Sequence, residues 1–178
     1  PVALAPDPEP QILETLFGAA LLGARVTFEA DADARVVMGH VDREAALGDG
    51  ERKVVVYGGA PEAATTTHWE GVVWSENPST PPGERSPDDP ALFAAGSALT
   101  HRDLLTRAER VVEGADLGAG TAVALRASLA DPRAVVAGVV APLLAGGTVV
   151  LPDAEAAADV AVSDDPVPEA RRIALEGV

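Results

Sequence analysis

The sequence predicts an α/β fold, a mainly parallel sheet with helices on both faces. Three observations predict it. Lys53-Val54-Val55-Val56-Tyr57 is a continuous apolar run closed by Gly58-Gly59, as expected of a strand covered on both faces. Between Gln11 and Leu22 the residues Ile12, Leu13, Leu16, Phe17, Ala20 and Leu21 form one apolar stripe at helical spacing. Thr121 to Leu151 reads as strand, apolar helix, strand, and such alternation implies βαβ units with parallel strands.

The elements follow in order. Residues 1–10 carry four prolines and two acids and read as an extended lead-in. Gly23 stops the first helix, and Arg25 to Phe28 follows as a short strand. Asp31 to Asp49 is ambiguous, with Val36 to Met38 readable as a strand and Val41 to Leu47 as a short helix. Gly71-Val72-Val73-Trp74 reads as another strand, and Ser75 to Pro90, rich in Pro, Ser and charge, as a surface connection without regular structure. Thr100 is the expected N-cap of a helix with Asp103 at its third position, and Leu104, Leu105, Ala108, Val111 and Val112 mark its apolar face as far as Gly114. Gly114 to Gly120 lies between helix and strand, so its Gly-x-Gly is a turn; a dinucleotide fingerprint needs its glycines after a strand and before a helix. Thr121 to Arg126 is strand-like. Asp131 or Pro132 opens a helix over 133–145 that is apolar nearly all round, hence buried, with Pro142 expected to kink its last turns. Gly146-Gly147 ends it, Thr148 to Leu151 is the next strand, and Asp159 to Val162 the last. The expected organisation is a lead-in over 1–10 and a single α/β domain over 11–178, with lobes 11–74 and 91–178 joined by 75–90.

Composition excludes several functions. The 28 acidic and 13 basic residues leave a net charge of −15, which opposes binding to nucleic acid or to an anionic membrane. With no cysteine there is no disulfide, zinc-thiolate or thiol nucleophile. Lys53 is the only lysine among the basic residues, and acids are spread through every segment. That pattern resembles cytoplasmic proteins of salt-accumulating halophiles, in which surface acidity maintains hydration under strong screening. Neither a signal segment nor an apolar run of about 18 residues is present, so the reading is cytoplasmic.

Leu99 to Pro152, beginning Leu99-Thr100-His101-Arg102-Asp103-Leu104-Leu105, resembles in its ordered series the region after the phosphate loop of adenylate-forming enzymes, the acyl-CoA synthetase and AMP-dependent ligase superfamily. The stretch AALLGARVTF, residues 19–28, resembles a helix-strand unit in the first half of those enzymes. The resemblance is clear from Ser97 to Pro152 and weaker from Leu13 to Val56. It implies a fold like part of the N-terminal domain of acyl-CoA synthetases, whose cofactors are ATP or AMP and CoA. Two departures matter. The family has a Ser/Thr/Gly-rich loop ending in Pro-Lys-Gly, whereas here Asp89-Pro90-Ala91-Leu92-Phe93 runs through Ala94-Ala95-Gly96 straight into Ser97. Ser128 to Ala134 occupies the place of a Pro-Leu-Phe-His segment beside the family's acyl pocket, with Ala130 and Asp131 standing there instead. The family's acidic Thr-Glu motif, ribose-binding Asp and C-terminal catalytic Lys have no counterpart, and Lys53 lies in the wrong segment.

No residue is therefore assigned to catalysis, a metal or a cofactor, and Thr100, His101 and Arg102 remain the weak ligand-binding candidates, at a helix start that attracts anions. The structural alternative for His101 is a hydrogen-bonded boundary histidine, and for Asp131 an N-cap. His40 and His68 are isolated, no Ser, His and Asp order offers a triad, and the acid pairs Asp31 with Asp33, Asp88-Asp89 and Asp164-Asp165 lack a calcium-loop pattern. Trp69 and Trp74 are read as core or interface packing in preference to pocket lining. The leading functional expectation is a non-catalytic binding, regulatory or assembly protein without a cofactor. The alternatives are one subunit of a split ATP-dependent ligase completed by a synthetase-like partner chain, and a module binding an acyl or nucleotide group at the sheet's C-terminal edge. A homodimer is expected, covering Ile12, Leu16, Phe17, Trp69 and Trp74.

Overall fold

Short apolar runs rich in valine and alanine build strands that need cover on both faces, and the first of them lies at the very start of the chain. In the computed structural model, which describes residues 1–48, 51–76, 83–152 and 157–178, β1 (Val2–Leu4) sits in the middle of a seven-stranded sheet. Ala3 and Leu4 are buried. The expectation of an extended lead-in over 1–10 is corrected here: Pro1 and Pro6 flank the strand, where no ladder hydrogen bond is required of them, and Pro10 begins a helix.

The chain divides into two compact units, Pro1–Pro6 with Pro10–Ala98, and Asp7–Glu9 with Leu99–Val178. In the first unit, β1 pairs in parallel with β2 (Val26–Thr27) and β3 (Val36–His40). Beyond β3 come β4 (Lys53–Tyr57) and β5 (Thr67–His68), also parallel. On the other side β2 pairs in parallel with β6 (Pro90–Ala94), Val26 opposite Leu92 and Thr27 opposite Phe93, and β7 (Ser97–Thr100) closes the edge. Helices cover both faces. The first, α1 (Pro10–Leu21), buries Ile12, Leu16 and Ala19, and its Thr15 hydroxyl meets the Met38 sulfur at 3.2 Å. On the opposite face Leu47 of α2 (Glu44–Leu47) packs with Val54 against Ala3, Ala34 and Val37.

Two expectations change in this unit. Gly71 to Trp74 is not a strand: Trp69–Val73 forms the short helix α3, laying Trp69, Val72 and Val73 beside Val2, Val36, Met38 and Val55. Residues 90–98 pair within the first sheet, whereas the expected second lobe began at 91. Of the 75–90 connection, 77–82 lie outside the described residues, as does Asp49 of the ambiguous 31–49 segment. Within the latter, both the strand and the helical turn are present, the helix preceded by a 3₁₀ turn at Val41–Arg43.

The second unit is built on a four-stranded parallel sheet in the order β11 (Arg171–Ile173), β10 (Val160–Val162), β8 (Ala122–Leu125), β9 (Thr148–Val150). Both β6 to β7 and β11 were missed as strands in sequence; β11 reads Arg-Arg-Ile, with no apolar alternation to mark it. The helix α4 (His101–Gly114) buries Leu104, Ala108 and Val111. Asp131 is the N-cap of the apolar helix, which runs as α5 (Pro132–Val135), a π segment (Val136–Val140) and α6 (Ala141–Leu144). The irregularity expected at Pro142 falls one turn earlier. Pro142 has no N–H to continue the ladder, and the Ala141 N–H bonds back five residues to the Val136 carbonyl. Ala134, Val136, Ala137, Val139 and Ala141 are fully buried, as the all-round apolar pattern predicts, whereas Leu143 and Leu144 in the last turn are exposed. On the other side of this sheet Ala124, Val150 and Ala161 pack under Ala158 and Val167, from the connections flanking β10.

Two ion pairs pin the loops of this unit. Arg126 Nε donates to both carboxylate oxygens of Glu169, at 3.0 and 2.9 Å, and the Arg133 guanidinium clasps the Asp131 cap at 2.6–3.1 Å. Hydrogen bonds from these guanidiniums hold Glu169 and Asp131 below the ordinary carboxylate range. A depressed folded-state value adds stability that is complete above the unfolded value, about pH 4 to 5, and is lost as pH falls through the folded one. Melting temperature should therefore decline on acidification below about pH 4, and Glu169→Gln, which cannot titrate, should flatten that decline while lowering the melting temperature at neutral pH.

The turn between α6 and β9 admits no side chain at Gly147. A Cβ there would lie 2.5 Å from the Thr121 carbonyl oxygen, a backbone atom fixed by the β8–β9 ladder. Gly147→Ala should cost about 1–3 kcal/mol in chemical denaturation, whereas Gly118→Ala, with open space around the new methyl, should stay within about 0.5 kcal/mol of the parent.

Candidate functional site

In the first unit the residues preceding Leu99 form a hairpin. Strands β6 and β7 are joined by Ala95 and Gly96 alone, with φ of +50° and +74°. Two successive positive φ values are the signature of the type I′ turn, whose twist matches that of the paired strands. Glycine adopts this conformation freely; alanine does so at a steric cost of about 1–2 kcal/mol. The Glu29 carboxylate offsets part of that cost, accepting the Ala95 N–H at 2.7 Å. A backbone amide at this turn is thus already held by an acidic side chain of the same unit.

In the second unit Thr100, the first of the three sequence candidates, closes a capping box. Its hydroxyl donates to Asp103 Oδ2 at 2.7 Å, its N–H reaches the same oxygen at 2.9 Å, and the Asp103 N–H donates to the hydroxyl oxygen at 3.1 Å. The Thr100 N–H and hydroxyl, in that order, depress the Asp103 carboxyl below its usual range. The helix start is therefore occupied by its own side chains. His101 is half-buried, and among the described residues its enclosed Nε2 has no hydrogen-bond partner. Arg102 is exposed and lies in the field of Asp103. The three candidates share a stretch of chain; the geometry gives Thr100 a structural task.

The remaining singled-out residues also have local partners. Asp131 caps its helix through the Arg133 N–H at 2.9 Å. His40 Nδ1 accepts the Asp42 N–H, and its ring meets Tyr57 edge to face with centroids 5.5 Å apart. His68 Nε2 lies 3.1 Å from Glu70, whose other oxygen accepts the Gly58 N–H. Asp89 accepts the Ser86 N–H, and Asp164 accepts that of Leu175. Among the described residues no group of three or more His, Asp or Glu is placed to hold a metal ion, and no helix is long and apolar enough to cross a membrane. Trp69 lines an apolar groove of about 380 Å³ between α1 and α3, and Trp74 is 88% exposed.

Sequence reasoning overlooked a cavity of about 600 Å³ within the second unit, walled by Arg107, Arg110 and Val111 of α4 and by Arg171 and Ile173 of β11. The signal available was the i, i+3 spacing of Arg107 and Arg110, which places both on one face of α4 with Val111 and Gly114.

No protein-family model matches the chain, and no curated protein does. Solved structures do. The apo structure of MatB from Rhodopseudomonas palustris matches with a TM-score of 0.68 at 14% identity, over 90% of this chain and 38% of that one. The anthranilate CoA ligase AuaEII, solved with anthranoyl-AMP, matches at 0.69 and 14% identity, over 91% and 39%. A red-emitting luciferase from Phrixothrix hirtus matches at 0.70 and 12% identity, over 91% and 40%. The chain thus spans about two-fifths of the length of these proteins, and its fold is that of part of the N-terminal domain of adenylate-forming enzymes.

Proposed function

We propose that this chain is a non-catalytic form of the adenylate-forming fold, serving as a binding, regulatory or assembly protein. The observation that carries the reading is the two-residue turn Ala95-Gly96. Adenylation requires cations and backbone amides around a triphosphate, and at this point the chain offers a tight hairpin whose Ala95 N–H is held by Glu29. A carboxylate at that amide repels the anion that a phosphate loop attracts. The spread-out acidity we read as solvation in concentrated salt. The chain should show no carboxylate-dependent exchange of pyrophosphate into ATP. Exchange above background with any fatty, aryl or amino acid would overturn the reading, and exchange that appears only on adding a synthetase-like partner chain would replace it with the split-ligase alternative.

An assembly role is favoured by the surface of the first unit. Ile12 and Leu16, expected at an interface, are buried in their own core, but Phe17 and Leu21 of α1, Leu22 just after it, and Val72, Val73 and Trp74 are exposed. A tryptophan standing 88% free of the protein is the residue type that anchors interfaces. We propose that a homodimer forms through this surface. Light scattering in molar salt at micromolar concentration should give twice the chain mass, and Trp74→Asp should return it to the monomer; a parent chain that is already monomeric refutes the dimer.

A further inference from the structure

The cavity against α4 combines features that no structural task described above explains. Arg107 and Arg110 project from one face of α4, and Arg171 from the first residue of β11. The guanidinium of Arg171 donates to the Ala115 carbonyl at the end of α4, tying helix to edge strand and fixing the cavity wall. Arg107 and Arg110 make no hydrogen bond or ion pair to any described residue, Arg107 being only in the field of Asp103 one turn earlier. The floor is apolar, formed by Val111, Val160 and Ile173, with Val111 and Val160 buried. None of the described residues lining the cavity is an aspartate or glutamate. In a chain of net charge −15 this cavity gathers arginines with no acidic side chain among its described lining residues, Val178 lining it as well.

Guanidinium is the cation suited to this geometry. Its planar fork matches two oxygens of a phosphate, and two such forks three residues apart on a helix reach one anion together. The far field of an acidic chain repels anions, so binding here depends on contact and not on long-range steering. An apolar floor under a cationic rim fits an anion with an apolar body better than a bare ion.

We propose that this cavity binds a small organic phosphate monoester, its phosphate on Arg107 and Arg110 and its apolar part over Val111, Val160 and Ile173. The site lies where β10 and β11 begin, so it is separate from the hairpin turn and does not depend on the non-catalytic reading above.

The test is isothermal calorimetry on the full chain at fixed ionic strength, with phenyl phosphate as the probe and inorganic phosphate and phenol as comparisons. Phenyl phosphate should bind saturably at one site, with inorganic phosphate and phenol each at least about tenfold weaker. Arg107→Ala/Arg110→Ala should weaken phenyl phosphate by about tenfold or more with an unchanged melting temperature. The pair Arg25→Ala/Arg43→Ala, which removes the same charge from the first unit, should leave binding intact. Equal binding by inorganic phosphate, unchanged affinity in the Arg107/Arg110 variant, an equal loss in the Arg25/Arg43 variant, or no saturable binding of phenyl phosphate would each overturn the proposal. Should the double alanine variant unfold, Arg107→Lys/Arg110→Lys keeps the charge and removes the fork, and undiminished affinity there is equally fatal.

Discussion

The turn at Ala95-Gly96 constrains what surrounds it. Two residues leave no slack, so β7 must run back along β6, and the pairing of Leu92 with Val26 and Phe93 with Thr27 fixes β6 against β2. From that register the chain enters Thr100, whose extended backbone at φ −80° and ψ 166° is the conformation an N-cap requires. An alanine in the left-handed region is strained, and it persists because surrounding hydrogen bonds determine it, here through Glu29. A loop long enough to wrap a triphosphate would free both strand ends from this coupling. The hairpin and an open anion-binding loop are therefore mutually exclusive uses of the same stretch of backbone.

An acidic chain must also close its polar ends without adding much positive charge, and it does so mostly with carboxylates as acceptors. Asp103 and Asp131 hold the N–H groups at two helix starts, Glu44 holds those of Glu62 and Ala63 in the loop before β5, and Asp159 holds that of Ala122 at the entrance to β8. Each satisfies a backbone donor that would otherwise face solvent or be buried unpaired. Arginine is used sparingly, where a fork is needed. Arg126 and Arg133 each grip a carboxylate, and Arg171 and Arg172 grip backbone carbonyls, of Ala115 and of Asp164 and Asp165 respectively.

Much of the second unit was legible because its signals are local. The Thr100 to Asp103 capping box, the Asp131 N-cap and the fully apolar helix before Gly146-Gly147 are read from neighbours in sequence, and they stand where the residues place them. The errors arise where tertiary pairing decides. Val2–Leu4 is three residues between prolines, and only its two parallel partners make it a strand. Val72-Val73 carries β-propensity, yet lies in the helix α3, where Trp69 and Val73 border a groove shared with residues of the sheet. Arg171–Ile173 is held by register with β10, Val160 opposite Arg171, and nothing in its own composition reveals it. For the same reason the arginine cavity was invisible: Arg171, Arg172 and Ile173 of its wall belong to that strand. Thr100, His101 and Arg102 were legible as a helix start, and the capping geometry then explains why the first of them faces its own helix and not a ligand.

One face of the second sheet is built from small side chains. Parallel strands need crossover connections, usually helical, to bridge them, and only 151–159 and 163–170 are available before and after β10. Ala124 and Ala161, with Val150, present a shallow surface against which Ala158 and Val167 pack. Larger residues would stand higher and require a helix. On the helical side the π segment buries Val136, Ala137, Gly138 and Val139, with α4 lying against it. Among the described residues β11 is the edge strand beside β10, and the end of α4 meets it through Arg171. The cationic cavity lies at that seam, where the Arg171 contact holds the edge strand to the end of α4.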